Sequence, residues 1–139
     1  MKRFAVLTLS LLLLVIVSLG SSVAAKKVEI TFWHAMGAQL GDTLESLVSE
    51  FNAQSPDVFV RAEYQGNYGA LSQKLVGALV ARKPPTMAQV YGNWAAEYID
   101  GNELVPVEKF VYGPNGLSTL EIEDIWDGLR AGCMFDGVW

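Results

Sequence analysis

The sequence predicts an α/β fold, in which helices cover both faces of a mostly parallel β-sheet. Three segments alternate apolar and polar residues as strands do: "VEITFW", "DVFVRAEY" and "TMAQVY". Segments with apolar residues at helical spacing follow each of them. Strands that alternate with helices form parallel sheets, and ligands bind beyond the carboxyl ends of such strands.

The first strand is predicted from the alternation of Val28, Ile30 and Phe32. The first helix is predicted over "AQLGDTLESLVSEFNAQSP", and Pro56 stops it. We expect its apolar stripe to face the core. That stripe consists of Leu40, Leu44, Leu47, Val48 and Phe51.

The second strand, "DVFVRAEY", places Val58, Val60, Ala62 and Tyr64 on one side, so Tyr64 is expected to point to the core. Gly66 then turns the chain into a second helix, which ends before Pro84 and Pro85. Its predicted apolar stripe consists of Leu71, Leu75, Val76 and Leu79.

The remaining elements are shorter. "NWAAEYIDGN" predicts a helix that is capped by Asn93 and ends near Gly101. "STLEIEDIW" predicts a last helix capped by Ser118 or Thr119. "CMFDGVW" predicts a strand, an Asp-Gly turn and the start of a returning strand that has little left to pair with. We therefore interpret the chain as a fragment of a longer protein, truncated at its C-terminus.

Residues 1–25 have the layout of a secretory signal peptide. A basic start precedes an apolar run, and small residues lead to a cleavage site after Ala25. The apolar run is shorter than the roughly 20 residues that a membrane span needs. A lipid anchor would need a cysteine at the cut, and Cys133 is the only cysteine. We predict an exported protein, periplasmic or extracellular, that is soluble after cleavage.

Charge and motif content exclude several functions. The formal charge of −5 becomes −7 when Lys2 and Arg3 leave with the signal peptide, so nucleic acid is an unsuitable partner. No phosphate loop, nucleophile elbow or H-E-x-x-H motif occurs, and one histidine with one cysteine makes a poor zinc site. We predict no catalytic residue, no metal and no cofactor. The acidic residues from Glu121 to Asp124 are interpreted as a solvated helix face.

Aromatic and amide side chains collect where the three strands end. Tyr68 lies at a helix start, where free N–H groups and a partial positive charge suit a polar ligand. Trp33 and Trp94 offer flat faces to a sugar ring, although core packing is favoured for Trp33. His34 is either a ligand contact or a histidine bonded to backbone, and both interpretations stay open.

The same residues carry a family resemblance. In order, the chain contains Phe32-Trp33-His34, Phe51-Asn52, Tyr64-Gln65-Gly66-Asn67-Tyr68, Pro85 and Gln89-Val90-Tyr91. This set resembles the N-terminal part of family 1 extracellular solute-binding proteins of ABC importers, and most of all their glycerol-3-phosphate-binding branch.

The resemblance implies a periplasmic-binding-protein-like fold of two lobes that close over one solute, without catalysis. Residues 26–139 would form part of the N-terminal lobe of a monomer that delivers its solute to the transmembrane subunits of an ABC permease. The family's ligand-contacting tyrosine maps to Tyr68. Its ligand-contacting glutamate is replaced by Gly92, with Asn93 as the neighbouring substitute, so glycerol-3-phosphate, a sugar or another polyol phosphate stays open.

Two other classes of protein remain as alternatives. A secreted carbohydrate-active enzyme would carry its catalytic acids in further sequence. A pure interaction module would have no small-molecule pocket at the strand ends.

Overall fold

A computed structural model describes residues 26–139, and the predicted signal peptide over residues 1–25 lies outside them. The strands are β1 (Val28–His34), β2 (Val58–Tyr64) and β3 (Met87–Ala88). The helices are α1 (Ala38–Gln54), α2 (Tyr68–Val80), α3 (Gly92–Asp100), α4 (Glu108–Val111), α5 (Thr119–Asp124) and α6 (Asp127–Gly132). The predicted alternation of strands and helices is therefore confirmed up to α3.

The three strands form one sheet, which is parallel as the sequence predicted, and their order is β2-β1-β3. β1 is central and pairs with β2 along its whole length. β3 is only two residues long, shorter than the predicted "TMAQVY". Beside it, Thr86 N–H donates to Thr31 Oγ1 at 3.0 Å, so a threonine hydroxyl extends the pairing where the backbone ladder stops.

Asn52 fastens α1 to the outer edge of β2. Its Nδ2 donates to the Val60 carbonyl and its Oδ1 accepts from the Val60 N–H, both at 2.7 Å. The side-chain amide thus imitates one residue of a neighbouring strand, and it satisfies two backbone groups on an edge that no fourth strand covers within residues 26–139. Lys27 reaches the same helix end and donates to the Ser55 carbonyl at 2.6 Å.

The buried core is small. Leu71 and Leu75 of α2 and Ala95 of α3 are its buried apolar residues in the described part of the chain. Leu71 and Leu75 confirm half of the stripe predicted for α2. Val76 is mainly exposed, since it lies on the side of α2 that faces away from the other two.

The stripe predicted for α1 is not buried. Leu40, Leu47 and Phe51 are exposed, and Leu44 and Val48 are half-buried. Along residues 26–139, the main packing partner of α1 is β2, and part of the apolar face of α1 stays exposed.

Three local predictions are wrong. Tyr64 is 57% exposed rather than core-facing, because at the end of β2 its ring lies beside the Gly37 backbone instead of under a helix. The N-cap of α3 is Tyr91, so Asn93 lies inside the first turn and caps nothing. The predicted helix "STLEIEDIW" ends at Asp124, because Ile125 has an extended conformation, and α6 begins separately.

Candidate functional site

The carboxyl edge of the sheet brings three chain segments together through one side chain, Gln89. Its backbone N–H donates to the Trp33 carbonyl at 2.8 Å, which continues the β1–β3 pairing by one step. Its Oε1 accepts from the Ala35 N–H at 3.0 Å, in the loop after β1. Its Nε2 donates to the Tyr68 hydroxyl at 2.7 Å, at the start of α2. The end of β1, the segment after β3 and the start of α2 are therefore fixed relative to one another.

Three aromatic rings, Tyr68, Tyr91 and Trp94, form what we call the aromatic cluster. Tyr68 and Tyr91 are stacked with centroids 4.4 Å apart and planes 28° apart. Trp94 meets Tyr91 edge-on at 5.2 Å and Tyr68 at 6.2 Å. Tyr91 is about half exposed, so the cluster presents ring surface and hydroxyl groups to solvent at the strand ends. Such a surface suits a ligand with both C–H faces and hydroxyls.

The charge state of Tyr91 is set by its surroundings. Partial desolvation raises its pKa above the ordinary value of 10.0. Electrostatic repulsion by the neighbouring Tyr68 raises the pKa further, as does a hydrogen bond with Tyr68 that favours the neutral, donating form of Tyr91. Tyr91 is therefore a neutral phenol at physiological pH.

The turn before Tyr68 confirms the predicted role of its glycine. Gly66 has φ of +94°, a conformation that side chains disfavour. The following residue, Asn67, caps α2: its Oδ1 accepts from the Ala70 N–H at 3.0 Å. The turn and the cap together place Tyr68 as the first residue of the helix, beside Gln89 and Tyr91.

His34 is the one buried polar residue in the described range, with 3% of its surface exposed. Its carbonyl accepts from the Gln65 N–H at 2.9 Å, and its ring lies between Phe32 and Tyr64 at 5.8 and 5.9 Å. Its Nδ1 has no hydrogen-bond partner within residues 26–139. The carbonyl bond continues the sheet pairing and does not involve the ring, so the structure shows a packed histidine, and both a bond to backbone and a ligand contact through His34 stay predictions.

Trp33 is tied to the sheet. Its Nε1 donates to Glu63 Oε2 at 2.7 Å, on the residue paired with it in β2. Glu63 also pairs with Arg61 at 2.9 Å. The half-buried indole thus has a structural role, which agrees with the preference for packing; stacking on a sugar through Trp33 is not tested.

At the start of α3, Trp94 joins the aromatic cluster and Asn93 is exposed in the same turn. A Cβ added at Gly92 would meet no atom within 4 Å, so the position expected to hold an acid opens on free space. The structure therefore brings Tyr68 and Trp94 together, and Asn93 directly precedes Trp94 in the chain.

Sequence reasoning missed two members of this site, Gln89 and Tyr91. Both belong to the motif Gln89-Val90-Tyr91, but nothing local distinguishes an amide at a strand end from an ordinary surface residue. The signal that could have found Gln89 is its place directly after the strand paired with β1, which brings it level with the loop at Ala35.

Three further features of the described residues lie outside the aromatic cluster. An apolar cavity of about 440 Å³ lies elsewhere, between residues 99–107 and 133–139, and shares no residue with the aromatic cluster. Residues 26–139 hold no group of three or more His, Cys, Asp or Glu side chains placed to bind a metal. None of their helices is both long and apolar enough to span a bilayer.

Part of the chain is similar in sequence to known proteins. No family model matches the chain. The sn-glycerol-3-phosphate-binding periplasmic protein UgpB of Escherichia coli (strain K12) is 33% identical over 78 residues, which cover 56% of this chain and 18% of that protein. The same protein of Shigella flexneri serotype 5b gives the same values. The chain therefore spans about a fifth of the length of the curated relatives it matches.

Solved structures show the same fold. A family 1 extracellular solute-binding protein from Alicyclobacillus acidocaldarius superposes with a TM-score of 0.68 at 19% identity, over 81% of this chain and 26% of that one. The substrate-binding protein Lmo0181 of Listeria monocytogenes, in complex with cycloalternan, gives 0.68 at 18% identity, over 81% and 28%.

These comparisons confirm the resemblance seen in the sequence. The chain has the α/β fold of the N-terminal part of family 1 extracellular solute-binding proteins. In sequence it resembles, in particular, the glycerol-3-phosphate-binding protein UgpB. The relatives named here are binding proteins, which agrees with the prediction that the chain is not an enzyme.

Proposed function

We propose that the chain is the solute-binding component of an ABC import system. It captures glycerol-3-phosphate or a related sugar or polyol solute outside the cytoplasmic membrane and delivers it to the transmembrane subunits of a permease. The observation that carries the proposal is the aromatic cluster, held by Gln89 at the edge where parallel α/β sheets bind ligands.

The mechanism follows from how such a surface gains affinity. One side of a solute contacts the aromatic cluster, and a second lobe closes over the other side. Because the solute contacts both lobes only in the closed form, it shifts the equilibrium toward closure. In this proposal Tyr68 supplies a hydroxyl, Trp94 supplies ring surface, and Asn93 supplies a polar group from the first turn of α3. His34 and Trp33 are further candidates for ligand contact, and both lie outside the aromatic cluster.

Two facts support the choice of solute class. The curated relatives bind sn-glycerol-3-phosphate, and a structural relative was solved with cycloalternan. The opening at Gly92 removes the acid of the glycerol-phosphate branch, so the proposal includes neutral sugars and other polyol phosphates. The proposal also includes export of the protein, directed by the predicted signal peptide over residues 1–25.

Calorimetric titration of the full exported chain with glycerol-3-phosphate and a panel of neutral sugars tests the assignment. Tyr68→Ala is expected to weaken binding by about 1–3 kcal/mol, the scale of losing a hydrogen bond in a desolvated site. Tyr112→Ala is the matched control, because Tyr112 is an exposed tyrosine outside the aromatic cluster. Equal affinities of Tyr68→Ala and the parent protein for every solute would show that Tyr68 is only part of the turn.

Gly92→Glu tests the specificity. A carboxylate at this open position can accept hydrogen bonds from solute hydroxyls, so affinity for glycerol-3-phosphate should rise relative to neutral sugars, provided that the polyol end faces it. Gly77→Glu adds the same charge at another uncrowded glycine, within α2. A preference that does not change, or that changes equally in both variants, contradicts the predicted place of Gly92 in the site.

A further inference from the structure

We propose that Gln89 is a positioning residue that fixes Tyr68 as a hydrogen-bond donor, so that the solute must present an acceptor oxygen to the Tyr68 hydroxyl. The inference rests on the proposed function, because it assumes that Tyr68 touches the solute. It adds the direction of the hydrogen bond and the residue that sets it.

The orientation of the Gln89 amide follows from Ala35. A backbone N–H can only donate, so the Gln89 atom 3.0 Å from the Ala35 nitrogen must be the carbonyl oxygen. The NH₂ group then faces Tyr68 at 2.7 Å. Flipping the amide would set NH₂ against N–H and oxygen against the tyrosine hydroxyl, and the Ala35 donor would lose its acceptor.

The backbone of Gln89 is equally constrained. Its N–H donates to the Trp33 carbonyl at 2.8 Å, so the residue is attached to the central strand at one end and to the Ala35 loop at the other. The side-chain amide therefore reaches Tyr68 from a fixed place.

The orientation of Gln89 determines where the single hydrogen of the Tyr68 hydroxyl can be donated. Its oxygen accepts from Gln89, and Gln89 Nε2 has no lone pair to accept in return. The hydrogen bond between Tyr91 and Tyr68 raises the pKa of Tyr91, as expected where the Tyr91 hydroxyl donates and the Tyr68 oxygen accepts, so this bond does not use the Tyr68 hydrogen. The Tyr68 hydrogen is thus available to the solute. Phosphate, carboxylate and hydroxyl oxygens satisfy it, whereas an ammonium group does not.

Gln89→Glu tests this directly. The variant is nearly isosteric: one carboxylate oxygen can keep the Ala35 bond, and the other can only accept, so Tyr68 must turn its hydrogen toward residue 89. We expect affinity for glycerol-3-phosphate to fall at least tenfold. The control is Gln65→Glu, which adds the same charge to the loop before Tyr68, where Gln65 contacts Lys74 instead. It should change affinity less than threefold.

Two spectroscopic readouts separate positioning from damage to the fold. The ¹³Cζ resonance of Tyr68, assigned with Tyr68→Phe, should shift in Gln89→Glu because the hydroxyl exchanges an accepted bond for a donated one. Amide exchange at Ala35 should stay slow in Gln89→Glu and become faster in Gln89→Ala, which removes the acceptor.

An unchanged Tyr68 resonance in Gln89→Glu would overturn the inference, and so would an equal loss of affinity in Gln89→Glu and Gln65→Glu. If the parent protein binds none of the solutes, the proposed function fails, and the requirement for an acceptor solute fails with it. The Tyr68 resonance would still decide whether Gln89 sets the direction of that hydroxyl.

Discussion

The stretch from β1 to α3 and the stretch from Leu104 to Trp139 are built differently. All buried residues of the described chain lie in the first: His34, Leu71, Leu75 and Ala95. The second, within its described residues 104–139, has no buried residue, and Trp126 is 79% exposed. Three parallel strands organise the first stretch, whereas the second has three helices of four to six residues.

Their hydrogen bonds explain the difference. In the first stretch, residues distant in the chain are joined, as in the ladder between β1 and β2 and the Asn52 contact with Val60. In the second stretch most bonds are local, such as the capping box between Ser118 and Glu121. Local bonds suffice to shape short helices, but burial requires elements that meet from different parts of the chain.

The largest effect expected is on the core. Leu71→Ala should lower the free energy of unfolding of the full chain by about 2–5 kcal/mol, because Leu71 is fully buried and the cavity cannot close completely. Trp126→Ala removes a larger side chain but should cost less than about 0.5 kcal/mol, since the indole is already in water. Urea denaturation measures both. Similar losses would show that the second stretch packs as tightly as the first.

A smaller loss of stability is expected where side-chain hydrogen bonds connect α1 to the edge of β2. Asn52→Ala should cost about 1–2 kcal/mol, because the Val60 N–H and carbonyl lose their partners at the sheet edge. Gln54→Ala, in the same helix, removes an amide that contacts only the exposed Glu50 and should change stability little. The same denaturation experiment applies, with amide exchange at Val60 as the local readout. If Val60 exchanges equally slowly in both variants, Asn52 does not hold the edge.

The sequence predicted the first stretch better than the second for the same reason. Alternating apolar residues place β1 and β2 correctly, and the turn at Gly66 follows from its backbone freedom. In the second stretch Ser118 correctly predicted a helix start, but nothing local placed the end at Asp124. The exposed face of α1 shows what periodicity cannot predict. It identifies an apolar stripe that includes Leu40 and Leu47, but it does not show whether another element covers that stripe.

The candidate site divides in a similar way. Positions after the strands predict Tyr68 and Trp94 as site residues, Tyr68 also through the family resemblance, and their meeting in the aromatic cluster agrees with a parallel sheet. Gln89 could not be predicted, because its role depends on the register of β3 against β1 and on the Ala35 N–H, which no sequence pattern reports. The prediction that Asn93 caps α3 is wrong because the helix begins at Gly92, two residues before the start that a cap at Asn93 would give.

The smallest effect expected concerns pH and the local bonds of the second stretch. Hydrogen bonds from the Ser118 hydroxyl and backbone N–H lower the pKa of Glu121 from its ordinary value of 4.5, despite a small opposing effect of burial. Because the folded helix favours the carboxylate, this contribution is present above about pH 4.5 and is lost as the pH falls through the lowered value. Amide exchange in α5 should therefore become severalfold faster in acid, about the effect of losing one N-cap.

In the variant Ser118→Ala, the amides of α5 should exchange faster at neutral pH and lose most of this acid dependence, since the hydroxyl is the largest cause of the pKa shift. Glu123→Gln removes the same charge from the same helix without touching Ser118, so its acid dependence should match that of the parent protein. If Ser118→Ala retains the full acid dependence, the capping box does not control this helix, and the second stretch depends on contacts beyond its local bonds.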